Sequence, residues 1–63
     1  MPIDERPRVR ALVAALEADP GLTTAEAADR TGLPFRHAAV LLWRLEDAGA
    51  VVHEAHRWYP VER

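Results

Sequence analysis

Apolar residues in the first third of the chain recur with the spacing of one helical face. Positions i, i+3, i+4 and i+7 of this face are occupied by Val9, Leu12, Val13 and Leu16. A stripe of this kind is buried when a helix packs on a core. The run Asp19-Pro20-Gly21 follows, and proline cannot continue a helix. The pattern predicts a first helix over about residues 7–18.

A second helix is predicted directly after this break, over about residues 24–31. Thr23 and Glu26 have the spacing of a capping box. In this motif the threonine hydroxyl accepts a backbone N–H of the first turn, while the glutamate accepts the N–H of the capping residue. Gly32 suits the left-handed position that ends many helices.

A third helix is predicted over about residues 35–47. Pro34 suits a helix start because its φ angle is already fixed near the helical value. Gly49 suits the end of the helix. The inward face of this helix is predicted to consist of Ala38, Leu41, Leu42 and Leu45.

Two short β-prone runs come last, Val51–Glu54 and Arg57–Pro60, on either side of Ala55-His56. They predict a hairpin over about residues 51–60, which we call the wing. The proline in the second run and the brevity of both runs are typical of an exposed edge ribbon. The predicted fold is mainly α with a small β-hairpin: three helices followed by a two-stranded wing.

The order of these elements resembles a winged helix-turn-helix. Residues 22–52 are similar to the winged-helix families of bacterial regulators. Thr31-Gly32-Leu33-Pro34 matches the turn of those families, and Leu45-Glu46-Asp47-Ala48-Gly49-Ala50-Val51 matches their exit into the wing. The resemblance implies a DNA-binding protein, a transcriptional regulator or its reading head, that uses its third helix and its wing.

Within this group, the look-alike that we name is the C-terminal winged-helix module of DprA-type DNA-processing proteins. Those modules also carry Thr-Gly-Leu-Pro before a strongly apolar third helix. The present chain departs from them in two ways: its wing lacks a pair of glycines, and alanines replace larger core residues. The Rossmann-like domain of DprA has no counterpart in these residues, so we infer no DprA activity.

The amino-acid composition argues against several classes of function. The 63 residues suffice for one domain, predicted over residues 1–63, and they include no cysteine and no serine. We expect no enzyme, because the chain has no such nucleophile, no glycine-rich phosphate loop and no pair of carboxylates in an obvious cleft. We expect no cofactor and no metal, because His53, His56 and His37 lack the spacing of a zinc site. Without an apolar run long enough to cross a membrane, the expected location is the cytoplasm.

The net charge of the chain argues against DNA binding, whereas the predicted fold favours it. The chain carries eight arginines and no lysine, yet its net charge is −2. Phosphate neutralisation dominates the affinity of most DNA-binding domains, so these usually lean basic. A local basic patch is nevertheless enough for DNA binding.

Three arginines are the candidate DNA contacts. Arg36 falls in the first turn of the third helix, where a guanidinium can reach a guanine or a phosphate. Arg44 falls two turns later and suits a phosphate contact, or a pair with an acidic neighbour. Arg57 falls on the wing, where the alternatives are a phosphate contact and a salt bridge with Glu54 across the hairpin. For Arg36 and Arg44 the other interpretation is an ordinary solvated charge.

Four apolar residues of the third helix point to a different class of partner. The stripe of Phe35, Ala39, Val40 and Trp43 lies outside the inward face, and exposed stripes of this kind usually mark protein contacts. Two alternatives stay open here: Trp43 completes the core by folding over the wing or the first helix, and Phe35 caps the turn. The sequence therefore supports two functions. The first is binding of duplex DNA, and the alternative is a protein-interaction or homodimerisation module that binds little or no DNA.

Overall fold

Three helices form where the apolar spacing predicts them. The computed structural model describes residues 5–61. Helix α1 comprises Arg6–Ala18, α2 comprises Thr24–Thr31 and α3 comprises Phe35–Asp47. The last two have the predicted bounds, and α1 begins one residue earlier than predicted. The prediction of a mainly helical fold with a small β wing is confirmed; residues 1–4 and 62–63 of the predicted domain lie outside the described residues.

The ends of α2 are fixed by the two signals found in the sequence. The Thr23 hydroxyl accepts the Glu26 N–H at 3.1 Å, and the Glu26 carboxylate accepts the Thr23 N–H at 2.9 Å, so both bonds of the capping box are present. Gly32 follows the helix with a φ of 71°, a left-handed conformation that glycine adopts without steric cost. The chain then reverses, and the Leu33 N–H donates to the Ala28 carbonyl at 3.0 Å. This turn sets α3 against α2.

The sheet contains one strand more than the sequence predicted. Strand β1 (Leu22–Thr23) joins β2 (Val51–Glu54) and β3 (Arg57–Pro60) in an antiparallel sheet of order β1-β3-β2. The predicted two-stranded edge ribbon is therefore incorrect in one respect, because β3 is the central strand. A strand of two residues is too short to show an alternating pattern in the sequence.

Pro60 is compatible with this central strand because its nitrogen points to a side where no neighbouring strand pairs with it. Successive residues of a strand direct their backbone groups to opposite sides. The Trp58 carbonyl faces β1, since it accepts the Gly21 N–H at 2.8 Å, whereas the Val61 N–H donates to Ala50 on the other side. The nitrogen of Pro60 thus faces the β1 side, beyond the register in which Leu22 pairs with Trp58. No ladder hydrogen bond is lost there.

The core lies between the helices and the inner face of the sheet. The predicted inward face of α3 is confirmed, since all four of its residues are buried. Leu12 and Leu16 of α1 are fully buried, and Val9 and Val13 pack against the core from its edge. Trp58 of β3 is 2% exposed, and the sequence analysis had not assigned it to the core. Within residues 5–61 no helix is both long enough and apolar enough to cross a membrane.

Candidate functional site on the outer face of the third helix

The outward face of α3 carries large apolar side chains. Because the opposite face is buried, this face projects away from α1 and α2. The exposed fractions are 59% for Phe35, 46% for Val40 and 53% for Trp43. Ala39, the fourth member of the predicted stripe, is half-buried. Phe35 is thus not withdrawn into the core as a cap on the turn.

Arg36 lies on the same exposed face, in the first turn of α3. Within residues 5–61 no hydrogen bond or ion pair holds its guanidinium. The helix also begins without a side-chain cap, and the first hydrogen bond at its start runs from the Ala38 N–H to the Pro34 carbonyl. The free backbone N–H groups of the first turn therefore point along the helix axis beyond its N-terminus, close to Arg36, which favours an anionic ligand.

Arg44 is paired within the molecule. Its guanidinium donates to the carboxylate of Glu5, just before α1, at 3.2 Å. The other oxygen of Glu5 lies 3.5 Å from Nε2 of His37, an atom that is buried without a hydrogen-bond partner in the described chain. Of the alternatives that the sequence left open for Arg44, a pair with an acidic neighbour is the one present. The Arg44 side chain is 69% exposed, so this pair is weak.

Arg57 is also engaged, although not with the predicted residue. Its guanidinium donates to the Gly21 carbonyl at 2.7 Å and lies 3.9 Å from the Glu26 carboxylate. Glu54 faces Arg57 in the hairpin register without forming an ion pair with it. The alternative of a cross-hairpin salt bridge is therefore wrong: β1, which the sequence did not reveal, places Gly21 and Glu26 nearer.

Trp43 combines the two alternatives that the sequence left open. Its ring packs edge-on against His53 of β2, at 4.7 Å between ring centroids, and against Trp58 of β3 at 5.2 Å. The Trp43 side chain is nevertheless 53% exposed. On the same side of α3, Glu46 contacts Nδ1 of His53. Trp43 thus folds over the wing and still contributes to the outer surface.

Two acidic residues at this site, Asp47 and Glu5, were not among the site residues predicted from the sequence. Asp47 lies on the exposed face of α3, and its position four residues after Trp43 is the signal that places it there. Glu5 bridges toward α3 from the start of α1, and no sequence pattern predicts so distant a contact. Both residues reduce the positive potential around Arg36 and Arg44.

Two shallow depressions border this face. One, of about 670 Å³, is lined by Val40, Trp43, Arg44, Glu46 and Asp47. The other, of about 380 Å³, is lined by Glu5, Pro34, Arg36, His37, Val40 and Arg44. In the described part of the chain, no three His, Asp or Glu side chains come together in a way that would hold a metal ion. Among residues 5–61, the site is thus a surface with Arg36 as an unpaired cation, an apolar centre and an acidic end.

Comparison with known proteins adds no further constraint. A scan against protein-family models, a search of curated proteins and a search of solved structures each returned no match to this chain.

Proposed function

We propose that this chain is a winged helix-turn-helix module that binds duplex DNA through the start of α3 and the wing. The observation that carries the proposal is the position of Arg36. It is an exposed guanidinium without an intramolecular partner within residues 5–61, in the first turn of the helix that follows the α2–α3 turn. This is where a helix-turn-helix directs side chains to the major groove.

The surroundings of Arg36 support an anionic partner. The uncapped N–H groups at the start of α3 supply donors for a phosphate next to the guanidinium. Arg44 and Arg57 are engaged within the molecule, but both side chains remain more than half exposed. Ion pairs at such sites are worth little, so a DNA phosphate can replace the carboxylate partner. The proposal places the protein in the cytoplasm, as a regulator or its reading head.

A titration of fluorescently labelled random-sequence duplex DNA at several salt concentrations tests this function. We expect affinity to fall as salt rises, because binding releases counterions. Replacing Arg36 by Ala removes a contact worth about 1–3 kcal/mol. Arg57→Ala weakens binding evenly across sequences and flattens the salt slope by about one unit. Arg10→Ala, at an exposed position of α1, is the matched control and keeps the parent affinity.

The absence of salt-dependent binding, or an Arg36→Ala variant that binds like the parent, would contradict this function.

The second candidate function is protein interaction through the same face. The observation that favours it is the exposure of Phe35, Val40 and Trp43 in a chain whose net charge is −2. Large apolar side chains that cluster on one exposed face are typical of protein interfaces. Failure to bind duplex DNA at low salt, in a sample shown to be folded by circular dichroism, favours this candidate.

A further inference from the structure

The outer face of α3 has the same spacing when it is followed from either end. Arg36, Val40, Trp43 and Asp47 are separated by four, three and four positions, and all four side chains are exposed. Residues three or four apart lie on one side of a helix, so these four form a single stripe. The centre of the stripe lies between Val40 and Trp43. We call it the palindromic stripe.

A stripe of this form is complementary to itself. A second α3 that lies antiparallel across the centre places the partner's Asp47 opposite Arg36 and the partner's Trp43 opposite Val40. Opposite charges then meet at both ends, and apolar side chains meet in the middle. A parallel arrangement brings Arg36 against the partner's Arg36 and is repulsive. We propose that a second copy of this chain docks antiparallel along the palindromic stripe of α3, in a two-fold dimer.

The pairing of charged residues within the described chain supports docking of a second copy on the palindromic stripe. Arg44 and His37 of α3 lie against Glu5, and Glu46 contacts His53. The two charged residues of the palindromic stripe, Arg36 and Asp47, have no such partner within residues 5–61. Arg44 and Glu46, the charged residues of α3 beside the stripe, thus have partners within the fold, while the two charged residues on the stripe face outward.

The shape of the surface agrees as well. The depression of about 670 Å³ lies at the C-terminal half of α3, and its lining includes Trp43, Glu46 and Asp47, together with Arg44, whose charge is paired with Glu5. The antiparallel arrangement directs the partner's Arg36 toward this acidic end. By two-fold symmetry, Arg36 of each chain lies opposite Asp47 of the other, so the dimer contains this charge pair twice. This inference goes beyond DNA binding, and because Arg36 serves both surfaces, the dimer and DNA compete for it.

Charge reversal at the two ends of the stripe tests the antiparallel register. Arg36→Asp places acidic groups opposite Asp47 in both halves of the dimer, and Asp47→Arg places basic groups opposite Arg36. We expect each single variant to sediment as one chain. The double variant R36D/D47R restores opposite charges and regains the dimer. The two positions are too far apart on one helix to pair with each other, so the rescue reports contact between two copies.

Sedimentation is followed without nucleic acid, at low salt and at concentrations up to about 1 mM, because an interface formed by one face of a single helix binds weakly. Arg10→Asp and Glu17→Arg are the matched controls, since they make the same charge changes at exposed positions of α1. We expect both to associate like the parent. Circular dichroism establishes that every variant keeps the helical fold.

Three outcomes overturn the proposal: a parent that remains one chain at the highest concentration, single variants that still associate, and a double variant that does not recover. A monomeric parent leaves the DNA proposal standing, because the sedimentation samples contain no DNA. Absence of DNA binding, in turn, leaves the dimer standing.

Discussion

At the residue scale, the indole of Trp58 joins parts of the chain that are distant in sequence. Its ring is 2% exposed and packs against Trp43 and His53, while its N–H donates to the Thr24 hydroxyl at 2.9 Å. One side chain of β3 thereby contacts α3, β2 and the start of α2. A buried indole N–H needs an acceptor, because leaving it unpaired costs its full desolvation.

Replacing Thr24 by Val is therefore expected to destabilise the protein by about 1–3 kcal/mol. Valine and threonine have similar shapes and similar helix propensities, so the variant chiefly removes the hydroxyl. Unfolding in urea, followed by circular dichroism, measures the loss. Thr24→Ser keeps an acceptor and is the control. A valine variant as stable as the parent would show that the hydrogen bond contributes nothing.

The sequence predicted the aliphatic core of α3 but not the environments of the aromatic residues. Leu41, Leu42 and Leu45 follow the helical period, so their burial is a matter of spacing alone. Trp43 and Trp58 meet only when the wing folds back on α3, and such contacts between distant segments leave no local periodicity. The intramolecular partners of Arg44 and Arg57 could not be predicted for the same reason.

At the element scale, α2 depends on its capping box. The Glu26 carboxylate accepts the N–H of Thr23, and this backbone hydrogen bond, together with a hydrogen bond from the Thr23 side chain to the same carboxylate, lowers the pKa of the Glu26 carboxyl. Nearby Arg57 and Arg30 lower it further. A carboxyl whose pKa is lowered by folding stabilises the folded state when it is ionised. That contribution is present above the pKa of the unfolded glutamate and is lost as the pH falls through the folded value.

Glu26→Gln is expected to remove this pH-dependent part while keeping an oxygen that accepts the Thr23 N–H. Urea midpoints of parent and variant, measured from neutral pH to well below about 4.3, the ordinary glutamate pKa, test the expectation. The parent should be the more stable protein at neutral pH, and the difference should shrink as the solution is acidified. A difference that stays constant with pH would exclude a role for the ionised carboxylate.

The elements themselves were predicted to very different degrees. The bounds of α2 and α3 followed from caps and glycines, which act within a few residues of the chain. Strand β1 could not be predicted from such local signals, because Leu22–Thr23 becomes a strand only by pairing with β3. The sequence placed these residues at the start of α2, where Thr23 also serves as the cap.

At the scale of the whole molecule, stability depends on a small core. A domain of 63 residues buries a modest fraction of its surface, so each core side chain carries a large share of the net stability. Most of the buried side chains are leucine or alanine. Neither a disulfide nor a cysteine ligand to a metal can supplement this core, because the chain has no cysteine.

Leu42→Ala, at a fully buried position, is expected to cost about 2–5 kcal/mol and to leave much of the protein unfolded at room temperature. Val52→Ala, where the side chain is 49% exposed, is the control and should change stability by less than about 0.5 kcal/mol. Thermal melts followed by circular dichroism compare the two. Equal melting temperatures would contradict the assignment of the core.

The position of Trp58 after α1, α2 and α3 affects how the protein folds during synthesis. A ribosome has completed all three helices before it adds this residue, and β1 has no strand to pair with until β3 is translated. Throughout that interval the apolar faces of the helices lack their last neighbour. We therefore expect the nascent chain to remain a substrate for chaperones until β3 has left the ribosome.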